Sequence, residues 1–239
     1  MTSATVESYT ARLAETLPRV RGRIEGALGR AGRASDEVTL VGVTKGHPLA
    51  ALEAAFQSGL TDLGENRVEE AEEKHNAFSE LGVRWHFVGH IQSRKAKRAV
   101  AIADVIHSVS SMKLGRKISG AAEERGEPAE VLVQVNASGE EAKGGLEGGG
   151  VVEEIHAIAE LPGVHVLGLM TMAPLVTDER LLAGTFAALR KTSEDVRAVT
   201  DRVGSELSMG MTNDFEIAIR EGSTMVRIGT ALFGERDRA

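Results

Sequence analysis

ELSMGMTNDFEIAIREGSTMVRIGTALFG, residues 206–234, contains two apolar runs, each closing on a glycine within two residues of a serine or threonine and each followed by a helical pattern. The runs are ELSMG (206–210) and MVRIGT (225–230), and NDFEIAIREG lies between them. Strand, helix, strand in this order reads as part of a parallel sheet. The same alternation extends back through the chain, with strand-like runs at VTLVGV (38–43), TDLG (61–64), RWHFVG (84–89), DVIHSV (104–109), AEVLVQVN (129–136) and VHVLGLM (164–170). Several are apolar throughout rather than alternating, as expected when both faces of a strand are covered. With the last two runs the total is eight, the number that closes a TIM-type barrel.

An open doubly wound sheet is the alternative. Against it, no G-x-G-x-x-G follows the first run, and KGGLEGGG (143–150) follows the fifth. The expected fold is therefore α/β, a single TIM-type (β/α)8 barrel with an extra N-terminal helix. One domain is expected over 1–239, with 1–32 as a leading helical segment. In that segment Tyr9, Leu13, Leu17, Val20, Ile24 and Leu28 recur at spacings of three and four and make one apolar stripe. Pro18 is expected to kink or restart the helix. A further long helix is expected from Asp178 to about Val203. The loop NASGEEAKGGLEGGG (136–150) is expected to be the most mobile element.

The bulk numbers restrict the function. The 239 residues carry 28 basic and 35 acidic side chains, a net charge of −7, which gives no general nucleic-acid or membrane-surface binder. There is no cysteine, which excludes disulfides, thiolate metal sites and a cysteine nucleophile. No apolar run approaches a membrane span, and MTSATVESYTARLAE lacks a signal-peptide layout. A cytoplasmic protein is expected. Trp85 and Tyr9 are the only residues of their kinds, which limits the available acid and base groups.

Active sites of such barrels lie at the C-terminal ends of the strands. Standing there are Lys45, then Glu65, Asn66 and Arg67, then Gly89, His90 and Gln92, then Asn136, then Met170 and Thr171. The seventh end supplies Ser208, Met209, Gly210, Met211 and Thr212, and the eighth Arg227, Gly229 and Thr230. Glycine admits backbone N–H groups close to an anion, and hydroxyls add donors. Ordinary turns and helix caps explain either loop alone. Two such loops after strands seven and eight point to phosphate. A strand-end lysine facing a phosphate site points to pyridoxal 5′-phosphate, or to a Schiff-base aldolase acting on a sugar phosphate. An apolar strand end would lower the lysine's pKa.

Arg227 lies inside an apolar run and needs a partner. Either it forms a buried salt bridge, with Glu65 or Asp62, or it contacts a cofactor. Facing a pyridine nitrogen, an arginine only donates, and so would keep that nitrogen unprotonated. His86 and His90 read as core or supporting residues rather than metal ligands. The run SRKAKR (93–98) reads as a solvated helix face. GLMTMAP, with Met170 and Met172, reads as core packing and secondarily as a cofactor wall.

Taken together, VTKGHP, GENRVEE, WHFVGHIQSRK, GLMTMAP, LSMGMTNDFEIAI and GSTMVRIGTALFG resemble the pyridoxal-phosphate homeostasis proteins, which share the barrel of the alanine racemase N-terminal domain. The resemblance covers essentially the whole chain. It implies that Lys45 forms an internal aldimine with pyridoxal 5′-phosphate. It makes Ser208, Met209, Gly210, Gly229 and Thr230 the phosphate cup, with Arg227 facing the pyridine nitrogen. Asn66 lies where the family lines the pocket, with His90 and Gln92 near it; Met170, from the GLMTMAP reading above, is the remaining candidate cofactor contact. Thr212 stands where the family carries serine and keeps the hydroxyl; Arg94 stands where asparagine is usual.

Implied with it is a role in intracellular cofactor homeostasis and supply, without established catalysis. Apo-enzymes that use the cofactor would be the recipients, and a monomer is expected. The alternative is a pyridoxal-phosphate-dependent amino-acid racemase. Racemisation needs an acid/base group on each face of the ring. Lys45 would serve one face, but the only tyrosine is Tyr9, in the leading helix.

Overall fold

The computed structural model describes residues 5–34, 37–79, 81–140 and 143–235. Residues 1–4 of the leading segment, 141 and 142 of the 136–150 loop, and 236–239 at the end of the expected domain lie outside the described residues. Eight parallel strands close into a barrel in sequence order. They are β1 Thr39–Val43, β2 Asp62–Glu65, β3 Arg84–Phe87, β4 Val105–Val109, β5 Ala129–Gln134, β6 Val164–Met170, β7 Val203–Met211 and β8 Met225–Ile228. The helices α1 Val6–Ala31, α2 Leu49–Gln57, α3 Val68–Ala77, α4 Ala96–Ile102, α5 Met112–Arg125, α6 Val151–Ala159, α7 Glu179–Val199, α8 Phe215–Arg220 and α9 Thr230–Phe233 surround them. The TIM-type (β/α)8 barrel with its extra N-terminal helix is the fold expected from the sequence.

Helix α1 opens on a capping box between Thr5 and Ser8 and closes on Gly32 in the left-handed conformation, φ 67°. It runs through Pro18 as one element. Leu17 and Val20 are buried on either side of the proline, and α1 packs along α2, α8 and α9. That apolar contact holds the helix across the hydrogen bond that proline cannot make. Helix α7 ends at Val199, earlier than Val203, because Thr200 is extended and Val203 already belongs to β7.

Alternation along the strands sorts the residues. The even-numbered Val226 and Ile228 face the outer layer with α1 and α2, whereas Met225 packs inside the barrel with Val105, Leu132 and Met170. Arg227, two residues beyond Met225, shares that inward face. Strand β7 carries one extra residue: Ser208 pairs with Met225, but Met211 pairs with Arg227. This bulge falls on Met209 and Gly210, and it re-aims the strand end toward the barrel mouth.

The described part of the 136–150 loop is anchored. Leu146 is buried and its N–H donates to Gln134 O at 2.8 Å, while Gln134 Nε2 donates to Lys143 O at 2.7 Å. The SRKAKR run forms the solvated face expected of it: Lys95 pairs with Glu69 at 2.7 Å, Lys97 with Glu124 at 2.5 Å, and Arg98 with Glu69 at 3.1 Å and with Glu72. Such exposed pairs contribute little to stability.

Candidate ligand site at the barrel mouth

The C-terminal ends of β1, β7 and β8 surround a cavity of about 240 Å³. Lys45, Met211, Thr212, Arg227, Gly229 and Thr230 line it, so six of the strand-end residues singled out in the sequence meet at one place. Val43, Val88, Met172 and Leu175 supply apolar wall, and Asn213 and Asp214 complete it. Leu175 is 85% exposed, so the cavity opens beside an apolar rim.

Lys45 is half-buried and follows β1 in a turn that His47 N–H closes by donating to Thr44 O at 3.0 Å. Gly46 takes φ 72° there, and its N–H donates to Glu70 Oε1 at 2.5 Å. Lys74 of α3 ties this turn to the barrel. Its Nζ donates to Thr44 O at 2.8 Å, to Glu65 Oε1 at 2.7 Å and to Glu70 Oε1 at 2.7 Å. Thr44 Oγ1 also donates to Glu65 Oε1, at 2.5 Å. Burial pushes the Glu65 carboxyl above its ordinary value, and the Lys74 charge opposes that rise. The sequence reading missed Lys74. Its one signal was the Glu70–Lys74 spacing of four on a helix.

Arg227 is buried. Nη1 donates to Ser208 Oγ at 2.5 Å and Nη2 to Thr171 O at 2.9 Å. Glu65 is engaged by Lys74 and Thr44, and Asp62 by His86 at 2.9 Å, so neither is the salt-bridge partner considered for Arg227. Burial pushes the Arg227 guanidinium down to about 10, and the charge of Asp214 opposes this. It stays a cation at neutral pH. Burial likewise pushes the Asp214 carboxyl up, against Met211 N–H, which donates to its Oδ1 at 2.6 Å.

Ser208, Met209, Gly210, Met170, His90 and Asn66 lie off the cavity wall. Ser208 is buried behind Arg227, and its hydroxyl meets His107 Nδ1 at 2.8 Å. Met209 packs outward among the helices. Met170 packs deeper inside the barrel than Met172. His90 is exposed, and Asn66 lies against Gly89, where a Cβ would stand 2.1 Å from Asn66 O. Gly210 has φ 96°, and a Cβ there would lie 2.7 Å from Ala218 Cβ and 2.8 Å from Phe215 Cα. Gly210→Ala is expected to destabilise the fold by about 2–4 kcal/mol, combining left-handed strain with overpacking. Denaturant unfolding measures it, and a cost under about 1 kcal/mol would show that the bulge relaxes freely.

Among the described residues, no group of three or more His, Cys, Asp or Glu side chains could hold a metal ion. Nor is any described helix long and apolar enough to cross a membrane.

A closed (β/α)8 barrel with a lysine, an arginine and two threonines around one cavity at its mouth places its candidate ligand site where barrels of this kind carry theirs. The alanine racemase N-terminal domain family matches residues 28–237. The pyridoxal phosphate homeostasis protein of Aquifex aeolicus is 40% identical over 222 residues, covering 93% of this chain and 97% of that one. That of Escherichia coli K12 is 36% identical over 236 residues, covering 94% and 97%. Among solved structures, PipY of Synechococcus elongatus PCC7942, with PLP (pyridoxal 5′-phosphate) bound, superposes with a TM-score of 0.83. It is 33% identical, with 93% of this chain and 100% of that chain covered. The chain belongs to the pyridoxal phosphate homeostasis proteins, within the alanine racemase N-terminal domain family.

Proposed function

We propose that this chain, working as one binding domain, holds pyridoxal 5′-phosphate at the barrel mouth through a Schiff base with Lys45. Its role in this reading is intracellular homeostasis and supply of the cofactor rather than turnover. One observation carries the reading: the Lys45 amine and the buried Arg227 cation line the same cavity as the hydroxyls of Thr212 and Thr230. The bound group supplies an aldehyde that a neutral amine captures reversibly, with loss of water.

Each lining residue has a task in this reading. Thr212, Gly229 and Thr230 receive the phosphate with hydroxyl and backbone donors. Arg227 donates to the pyridine nitrogen and, as a permanent donor, keeps a proton off it. That weakens the ring as an electron sink and suits storage over carbanion chemistry. Val43, Val88 and Met172 keep water from the ring. The open apolar rim at Leu175 permits release to cytoplasmic apo-enzymes, and a monomer suffices for all of this.

For racemisation a second proton carrier would have to stand across the ring from Lys45. Tyr9 contacts His47 Nδ1 at 2.9 Å in the α1 layer and is not among the residues lining the cavity. This supports the binding reading over the racemase.

The test is a titration of the purified protein with pyridoxal 5′-phosphate, followed by borohydride reduction and peptide mapping. A visible band that moves on reduction, with the pyridoxyl group on Lys45, is expected. A protein that stays colourless would overturn the proposal and turn attention to the aldolase reading.

A further inference from the structure

The barrel interior holds a line of polar groups that cofactor binding leaves unexplained. Asp62 Oδ1 lies 2.9 Å from His86 Nε2, and His86 Nδ1 lies 2.8 Å from His107 Nε2. His107 Nδ1 lies 2.8 Å from Ser208 Oγ, and Ser208 Oγ accepts from Arg227 Nη1 at 2.5 Å. Five side chains from β2, β3, β4, β7 and β8 thus run in one unbroken series. It reaches from the N-terminal start of β2, where the Asp62 side chain is 24% exposed, to the cavity wall. Buried polar groups in an apolar interior are costly unless every one is satisfied, and here Met225, Met170, Leu132 and Val105 fill the same interior.

The donors and acceptors fit in one direction. Arg227 can only donate, so Ser208 Oγ accepts from it. An ionised Asp62 can only accept, so His86 donates from Nε2. With both rings neutral, His86 Nδ1 must accept, His107 donates from Nε2, and His107 Nδ1 accepts the Ser208 hydroxyl proton. Every link is then made once, with no donor facing a donor. Full burial above all disfavours a cation on His107, and the positive charges of Arg227 on β8 and Arg84 on β3 disfavour it further, as would any charge on His86.

We propose that Asp62, His86, His107 and Ser208 are positioning residues for Arg227, a one-way hydrogen-bonded relay that holds the guanidinium against the cavity. Resting on the cofactor site proposed above, it also assigns Ser208. Its proton is committed to His107 and one lone pair to Arg227, so it orients the arginine and does not donate to phosphate.

The relay has a signature of its own that a merely space-filling role lacks. With 15N-labelled histidine in the full chain, both rings should be neutral and protonated at Nε2 at neutral pH, before and after loading with pyridoxal 5′-phosphate. Finding His107 protonated at Nδ1, or His86 cationic, would reverse the direction, free the serine proton and overturn the proposal. This arm needs no ligand, so it stands or falls separately from the cofactor reading.

A second arm compares pyridoxal 5′-phosphate with pyridoxal, which lacks the phosphate, on Ser208→Ala. Both should bind about 3–10-fold more weakly, with their ratio unchanged. A collapse of that ratio would make Ser208 a phosphate ligand and overturn the assignment. At the far end, Asp62→Ala is expected to mix the His86 tautomers and weaken cofactor binding by about 2–5-fold, with thermal unfolding followed in parallel. A folded Asp62→Ala protein with wild-type tautomers and affinity would show that the series transmits nothing.

Discussion

Lys45→Arg is expected to bind pyridoxal 5′-phosphate on the order of 100-fold more weakly, about 2.7 kcal/mol, and to carry no borohydride-stable label. Arginine keeps the positive charge and most of the reach of lysine, but it does not release a proton at any ordinary pH and so offers no nucleophilic lone pair. The substitution therefore removes the covalent link while leaving Arg227 and the Thr212, Gly229 and Thr230 donors in the cavity. Residual affinity should come from those groups and should still favour pyridoxal 5′-phosphate over pyridoxal. The measurement is a spectral titration with peptide mapping after reduction, and unfolding is followed alongside so that a lost label is not mistaken for a lost fold. If the variant keeps a reducible band, another amine forms the link. Lys143, whose charge reaches Asp214 on the cavity wall, would be the first to examine.

The barrel was legible in the sequence because its strands are covered on both faces, so each stands out as a short apolar run between helical patterns. The strand ends were legible for the same reason: Lys45, Thr212, Arg227, Gly229 and Thr230 interrupt or follow those runs and meet at the mouth. What stayed hidden depends on register and level. Met170 and Met172 share a face, but only the relative heights of neighbouring strands put Met170 in the interior and Met172 at the cavity. The one-residue bulge at Met209 and Gly210 follows from the pairing of Ser208 with Met225 and Met211 with Arg227, which no pattern within β7 discloses. The interior series from Asp62 to Arg227 joins residues up to 165 positions apart in the numbering, and it exists only once β2, β3, β4, β7 and β8 are closed on one another. Lys74 was hidden for a different reason. On an acidic, outwardly solvated helix it reads as one more surface charge, yet its side chain is 4% exposed.

That burial makes Lys74→Met the substitution with the largest expected effect on stability. Lys74 is the cation beside Glu65, whose side chain is 1% exposed and whose Oε2 is buried without a hydrogen-bond partner among the described residues. Removing one partner of a buried ion pair leaves the other charge uncompensated, at a cost of about 3–5 kcal/mol. The variant also removes the donor to Thr44 O, which fixes the turn carrying Lys45. The cost should depend on pH with a definite sign. Burial already raises the Glu65 carboxyl above 4.5 in the folded protein, and losing the Lys74 charge raises it further. A raised carboxyl binds its proton more readily folded than unfolded, so its favourable contribution is full below the unfolded value and is lost as pH rises through the folded one. The deficit of Lys74→Met relative to the parent should therefore shrink on acidification toward about 4.5. A deficit that stays constant across the whole acid range would show that packing, not the Glu65 charge, sets the cost. The double variant Lys74→Met, Glu65→Gln removes the charge altogether and should recover most of the stability. It should not recover cofactor retention to the same degree, because the Lys45 turn still lacks the donor that held its Thr44 carbonyl.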